Sequence, residues 1–109
     1  DTQALAACER GMARGLDRDL GRAERAFFYM TMMHAEDLAR QDRAIVAFAT
    51  LIEEAPEPLR PRLFDQVIFA VKHRKIVARF GRFPHRNAQL GRTSTAEELA
   101  FLEQPGSSF

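Results

Sequence analysis

Residues able to bind an anion are concentrated in one short segment, residues 79–92, which reads RFGRFPHRNAQLGR. Guanidinium groups form bidentate hydrogen bonds with carboxylates and phosphates, and such pairs are the strong ones. One hypothesis is therefore a pocket for a phosphate or carboxylate ligand in this junction between helices. Its candidate anion-binding residues are Arg79, Arg82, Arg86, Asn87 and Arg92.

A structural alternative explains the same arginines. Each guanidinium could pair with a glutamate or donate to the carbonyls that a helix end leaves without partners. Gly81 and Gly91 permit tight turns, and Pro84 disfavours a helical residue before it. Phe80 and Phe83 extend an apolar helix face, so half of the junction belongs to the core. The glutamates available for pairing are Glu53, Glu54, Glu57, Glu97 and Glu98.

Three histidines, His34, His73 and His85, are candidate acid–base residues. No two of them have the close helical spacing of a zinc motif and no cysteine accompanies them, so no metal site is predicted. Glu36 and Asp37 follow His34, which leaves a mixed histidine–carboxylate cluster conceivable. A core or helix-capping role is the alternative for each histidine. If the third and fourth helices are antiparallel, His34 and His73 approach the junction together.

Composition limits the class of protein. The 109 residues make a single domain with 46% hydrophobic residues, and the formal net charge of +1 gives no general attraction for nucleic acid. Cys8 is the only cysteine, which favours a reducing, cytoplasmic setting without disulfides. These residues contain no charged-then-apolar segment typical of a secretion signal and no long uncharged apolar run, so we expect neither secretion nor a membrane span. Because the chain begins at Asp1 on a helical pattern, we expect a native N-terminal portion to be missing.

Helical periodicity predicts five helices and no strand. Gly15 is the expected stop of the first helix, and Asp17 begins a loop. Three methionines and three aromatic residues in the second helix indicate a largely buried element. Thr95 and Glu98 form a capping box at the start of the last helix, which faces inward through Leu99 and Leu102 (or Phe101). The predicted helices span residues 2–14, 22–34, 35–54, 59–82 and 95–103.

The fourth helix has apolar residues on two nearly opposite sides, so we expect it to be central and packed on both. One side carries Phe64, Val67, Ile68 and Val71, and the other carries Phe69, His73, Ile76, Phe80 and Phe83. In the third helix, Gln41 interrupts a stripe that includes Leu38 and Ile45, and His34 joins the same stripe if the helix extends back one turn. These polar groups must be hydrogen-bonded or functional, because burying them without partners costs a few kcal/mol.

The chain resembles an uncharacterised bacterial family, domain of unknown function 924, over essentially its whole length. The matching motifs are Ala78–Asn87 with Leu90-Gly91-Arg92, Ser94-Thr95 and Glu98, together with Gly15-Leu16-Asp17, Tyr29, His34, Glu36-Asp37-Leu38, Gln41, His73, Phe101-Leu102 and Gly106–Phe109. The resemblance implies a tetratricopeptide-like fold of stacked antiparallel helix pairs, of which this chain looks like the C-terminal two-thirds. It also implies an absent tryptophan-rich N-terminal part. Ala35 stands where the family often has serine, and no established activity comes with the resemblance.

Two functional hypotheses remain from the sequence. The first is a helical binding or scaffold protein without cofactor, whose anion site takes a small molecule or a peptide. The second is a small hydrolase-like enzyme acting on a phosphorylated or carboxylated substrate, with a histidine as acid or base and the arginines as clamp. Neither a nucleic acid nor a membrane is an expected partner, and a homo-oligomer is compatible with the helical pattern.

Overall fold

The computed structural model describes residues 2–14 and 21–109, and these residues form an all-α fold with no strand. The predicted helix stop at Gly15 and the loop from Asp17 lie outside the described residues, as do the side chains of Phe27 and Phe28. The five α-helices of the described part are α1 (Thr2–Ala13), α2 (Arg22–Met33), α3 (Leu38–Glu54), α4 (Arg60–Phe80) and α5 (Ala96–Leu102). Single 3₁₀ turns at Glu57–Leu59 and Pro84–Arg86 precede α4 and follow it.

The helices α2, α3 and α4 run antiparallel in sequence order. Tyr29 of α2 contacts Phe48 of α3 edge-to-face, with ring centroids 5.9 Å apart, while Arg25 binds Glu54 at 2.5 Å. Asp42, near the start of α3, forms an ion pair with Arg74, near the end of α4. Short connections between neighbouring helices favour this up-and-down order.

The start of α3 differs from the prediction. The helix begins at Leu38, not at Ala35, because Asp37 acts as the N-cap and its carboxylate accepts a hydrogen bond from Arg40 N at 2.9 Å. His34 therefore caps the end of α2 and does not share a face with Gln41. Gln41 is fully buried and donates to the carbonyls of Met33 and Ala35 at 2.5 and 2.7 Å, which confirms that a polar group here is hydrogen-bonded.

One main core joins α1, α2, α3 and α4. Its buried residues are Cys8, Tyr29, Met32, Met33, Ala44, Ala47, Phe48 and Ala70. A smaller cluster of Leu51, Ala55 and Leu63 closes the α3–α4 turn, and a third of Ile76, Val77 and Phe83 lies at the junction. Cys8, the only cysteine, is buried in the main core.

The prediction that α4 is packed on both sides is wrong for the described residues. Leu63, Ala70, His73, Ile76 and Val77 are buried on one face. Phe64 and Ile68 are 53% and 51% exposed, and Phe69 is 47% exposed. The described part measures 44 × 30 × 19 Å, and 19 Å corresponds to about two helix diameters. The side of α4 that carries Phe64 and Ile68 is therefore exposed in the described part of the chain, whereas Phe69 and Phe80 contact Phe109 and Phe101.

The end of α4 positions the junction. Gly81 has φ of 73°, a left-handed conformation that favours glycine, and its N–H donates to Val77 O at 2.7 Å. Phe83 then turns back into the core and is completely buried. The predicted capping box is confirmed, because Thr95 and Glu98 bond reciprocally at the start of α5. Leu99 is 56% exposed, so its predicted inward orientation is wrong.

Candidate functional site

Arg79 lies apart from the other junction arginines. It belongs to the last turn of α4, is exposed, and donates from both Nε and Nη2 to Glu97 Oε1 at 3.2 and 3.0 Å. Its guanidinium covers the rings of Phe80 and Phe101, 4.6 and 5.6 Å from their centroids. This arginine therefore links α4 to α5 across their exposed surface.

Arg82 forms a bidentate ion pair with Glu98. Its Nε and Nη2 donate to the two carboxylate oxygens at 2.9 and 2.7 Å, and Nη2 also donates to Thr93 O at 2.9 Å. Glu98 is buried and also accepts from Thr95 N. The Arg82 hydrogen bonds, followed by the one from the Thr95 backbone, lower the pKa of Glu98 to about 2. The carboxylate stays ionised, so the pair persists at any physiological pH.

Arg92 binds Glu36 and the turn around Phe83. Its Nη1 donates to Glu36 Oε1 at 2.9 Å, its Nη2 to Phe83 O at 3.2 Å, and its Nε to Asn87 Oδ1 at 3.0 Å. Glu36 Oε2 accepts from Phe83 N at 2.8 Å. Burial opposes ionisation of Glu36, but the hydrogen bonds from Arg92 and Phe83 prevail and lower its pKa.

Asn87 joins these two ion pairs. It is 1% exposed, and its Nδ2 donates to Ser94 Oγ at 3.0 Å and to Glu98 Oε2 at 3.4 Å. We call Glu36, Arg82, Asn87, Arg92 and Glu98 the closed network, because each guanidinium in it has a carboxylate partner. It fixes the α2–α3 connection and α5 to the end of α4.

Arg86 behaves differently. Its Nη1 donates to the carbonyl of His34 at 2.9 Å, and its guanidinium lies 4.8 Å from the centroid of Phe83. Among the residues that the structure describes, no carboxylate forms an ion pair with it. Its charge is therefore the one in the junction that is not directly neutralised within the described part.

The three histidines converge beside Arg86. The rings of His34 and His73 are perpendicular, with centroids 5.3 Å apart. His73 contacts Phe83 at 5.6 Å between centroids, and His85 contacts the same ring at 5.6 Å. We call His34, His73, His85 and Arg86 the histidine cluster. The antiparallel pairing of α3 and α4 brings the first two together, as the sequence hypothesis required.

Hydrogen bonds define the tautomers of two histidines. His34 Nδ1 lies 2.8 Å from Met30 O, and His73 Nδ1 lies 2.6 Å from Phe69 O. A carbonyl can only accept, so each Nδ1 carries the proton and each neutral ring keeps its lone pair on Nε2. His85 Nδ1 is buried and has no hydrogen-bond partner among the described residues. The cluster therefore holds basic nitrogens next to a cation.

Local charge and burial keep two of these rings neutral. Burial is the largest cause that lowers the pKa of His73, and electrostatic interactions with the other two histidines and Arg86 add to it against the hydrogen bond to Phe69. The pKa of His85 is lowered by burial and then by Arg86, with Glu36 opposing. Neutral imidazole is the form that can accept a proton.

A polar cavity of about 440 Å³ opens beside the cluster, between α1 and the α2–α3 connection. His34 and Arg86 line it together with Arg40, Glu36 and Asp37. Arg40 is paired with Glu9 at 2.5 Å, and the two carboxylates already accept hydrogen bonds from their neighbours. His73 and His85 do not line this cavity.

A larger cavity of about 650 Å³ lies between α2 and α3. Its charged lining residues are paired: Arg25 with Glu54, Asp42 with Arg74, and Arg43 with Glu9 at 3.8 Å. It contains none of the candidate site residues. No group of acidic, histidine or cysteine side chains in the described part is arranged to hold a metal ion.

Sequence reasoning anticipated some of these contacts and missed others. Pairing of Arg79 with Glu97 and of Arg82 with Glu98 agrees with the structural alternative. The partner of Arg92 is Glu36, which was absent from the expected glutamates because it is 56 residues away in the chain. Phe109, which stacks on His73 at 3.8 Å between centroids, was missed because nothing in its sequence surroundings indicates a contact.

Comparison with known proteins gives a family but no activity. Residues 1–106 match the family model described as bacterial protein of unknown function, DUF924. A solved structure of a protein of unknown function from Agrobacterium tumefaciens is similar, with a TM-score of 0.74 and 37% sequence identity. The match covers 94% of this chain and 52% of that chain, so this chain spans about half the length of that protein. A search of curated proteins gives no match.

None of the helices in the described part is both long and apolar enough to cross a membrane.

Proposed function

The chain belongs to DUF924, a bacterial family of unknown function, and we propose that it is a helical binding protein whose histidine cluster takes a small phosphate or carboxylate ligand. The ligand enters the polar cavity of about 440 Å³ and is bound by Arg86 and His34. Of the five residues that the sequence predicts for anion binding, Arg86 is the cation that contacts the ligand. Arg82, Asn87 and Arg92 have a positioning role.

The observation that carries the proposal is the contrast in pairing among the arginines. Arg82 and Arg92 each have a carboxylate partner within 3 Å, whereas Arg86 donates only to a neutral carbonyl in the described part. Arg86 lines the cavity, so its remaining N–H groups are available to a carboxylate or phosphate there. A bound anion would neutralise the charge of Arg86, which no carboxylate in the described part pairs with.

The carboxylates that line the same cavity do not prevent an anion from binding there. Glu36 accepts from Arg92 and from Phe83 N through separate oxygens, and Asp37 caps α3. Arg40 brings a further positive charge, shared with Glu9. The anion is therefore expected at the Arg86–His34 end of the cavity.

Anion binding should depend on pH. A lower pH protonates His73 and His85, whose pKa values lie below the ordinary value, and the cluster gains positive charge. Affinity for an anion should therefore increase as the pH is lowered from 7.5 to 6.

A thermal-shift screen against phosphorylated and carboxylated metabolites tests this function. A ligand present at 100 times its Kd stabilises the folded protein by about 2.7 kcal/mol, which is readily detected as a rise in Tm. Hits are then titrated by calorimetry against wild type, Arg86→Gln and His34→Gln. We expect at least tenfold weaker binding for Arg86→Gln and a smaller loss of affinity for His34→Gln.

Arg79→Gln is the matched control, because Arg79 belongs to the same junction but is paired with Glu97 away from the cavity. Its affinity for each hit should equal that of wild type. If Arg79→Gln weakens binding as much as Arg86→Gln does, the effect is one of net charge and the site assignment is wrong. Absence of any stabilising ligand at both pH values would contradict the proposal as a whole.

A hydrolase-like activity is a second candidate, favoured by the His34–His73 ring pair. Both rings keep a basic Nε2 in the neutral form, and the pKa of His73 is lowered mainly by burial. His34 would act as general base at the cavity, with Arg86 as the clamp for the substrate anion. Turnover of p-nitrophenyl phosphate or a p-nitrophenyl ester, lost in His34→Gln and retained in Arg79→Gln, would support this candidate. Binding without turnover of any hit would leave only the binding function.

A further inference from the structure

A second pocket lies along the C-terminal half of α4, and one of its walls, Phe109, stacks on His73 of the histidine cluster. It has a volume of about 390 Å³, and its walls include the rings of Phe69, Phe101 and Phe109 and the side chain of Ile76. None of its lining residues lines the polar cavity. Its volume is within the range of small-ligand pockets, and three aromatic rings make it predominantly apolar.

The basic residues that line this pocket are lysines, which are rare in this chain. Of the 16 lysines and arginines in the chain, only Lys72 and Lys75 are lysines, and both line this pocket. The ammonium of Lys72 lies 5.6 Å from the centroid of Phe69. Among the described residues, no carboxylate forms an ion pair with either lysine. Two positive charges at the mouth of an apolar groove complement an anion that carries an apolar body.

The geometry points to a binding site for a small hydrophobic carboxylate, with an alkyl chain or an aromatic ring between Phe69, Phe101 and Phe109 and the carboxylate at Lys72 and Lys75. Apolar surface supplies the burial, and the lysines supply attraction for the charged end. A strongly hydrated inorganic anion gains nothing from the rings, and a neutral apolar molecule gains nothing from the lysines. The site therefore distinguishes ligands by requiring both parts.

Calorimetric titration with decanoate, below its micellar concentration, tests the site in the whole chain. Decanol and acetate are the matched chemical controls, since each retains one part of the ligand only. Decanoate is expected to bind at least tenfold more tightly than either. Its affinity should fall with added salt, because exposed charges are screened within about 10 Å at 0.1 M.

The double substitution Lys72→Gln/Lys75→Gln should weaken decanoate binding at least tenfold while leaving any binding of decanol unchanged. Arg62→Gln is the control, because Arg62 is an exposed basic residue of α4 outside the pocket. Phe69→Gln removes an apolar wall at a half-exposed position where folding is not at risk, and should weaken decanoate binding by about fivefold.

Equal binding of decanoate and decanol, unaffected by the lysine substitutions, would overturn the inference, since the groove would then be merely an apolar patch. No detectable decanoate binding would also overturn it. Neither result bears on the histidine cluster, because Arg86 and His34 are intact in all of these variants.

Discussion

The closed network and the histidine cluster occupy the same junction but differ in how their charges are balanced. In the closed network, Arg82 and Arg92 each bind a carboxylate, and the buried Asn87 joins the two pairs. In the histidine cluster, Arg86 has a carbonyl and an aromatic face as its contacts. Satisfied buried networks hold a fold in one arrangement, whereas unbalanced charge beside a cavity can be used for binding. Substitutions in the first should mainly reduce stability, and substitutions in the second should mainly reduce binding.

The largest expected effect is that of Arg92→Ala in the closed network. The substitution leaves Glu36 without its cation and removes the donors to Asn87 Oδ1 and Phe83 O. Truncating one partner of a buried ion pair costs 3–5 kcal/mol, and this pair is partly accessible, so we expect a loss of about 3 kcal/mol in the free energy of unfolding. Urea denaturation measures it. A loss below about 1 kcal/mol would mean that the network contributes no more than an ordinary surface pair.

Thr95→Ala tests the capping box that holds α5 against the network. The hydroxyl accepts from Glu98 N at 3.1 Å, and its removal leaves that amide without a partner. Loss of an N-cap costs about 1 kcal/mol. Thr95→Ser keeps the hydroxyl and should be close to wild type in the same urea experiment. If the serine variant is as unstable as the alanine variant, the threonine methyl group and not the cap is responsible.

The two regions should lose stability in different pH ranges. The pKa values of His73 and His85 lie below the ordinary value of 6.5, so the unfolded chain takes up protons first as the pH falls. Their contribution to the free energy of unfolding is therefore fully present above pH 6.5 and is lost as the pH falls toward the pKa values that these histidines have in the folded protein. The pKa of Glu98 is lowered from 4.5 to about 2, so its contribution persists down to about pH 4.5 and is lost below that, through pH 2.

Urea denaturation at a series of pH values separates these two losses. His85→Gln should flatten the decline below pH 6.5 and leave the acid limb unchanged, whereas Glu98→Gln should flatten the acid limb only. An unchanged profile in His85→Gln would contradict a lowered pKa of His85 in the folded protein.

Contacts between residues that are close in the sequence could be predicted from it, whereas contacts between distant residues could not. The capping box was predicted because Thr95 and Glu98 are three residues apart, and the end of α4 because Pro84 constrains its neighbours locally. The pairing of Glu36 with Arg92 depends on how the α2–α3 connection lies against the junction, which no local pattern encodes. The exposed Phe64 shows the same limit, since periodicity identifies an apolar face but not the number of neighbouring layers.

The smallest expected effect on stability is that of Arg86→Ala, and it gives the sharpest test of the comparison. The substitution removes one hydrogen bond to a carbonyl at the edge of the structure and the contact with Phe83, so we expect a loss of at most about 1 kcal/mol in the free energy of unfolding. Because Arg86 lowers the pKa of His73 and His85, its removal should raise both, which histidine NMR titration can follow. A loss as large as that of Arg92→Ala would place Arg86 in the closed network. A small loss together with raised histidine pKa values would establish that this arginine acts on the charge of the cluster and not on the stability of the fold.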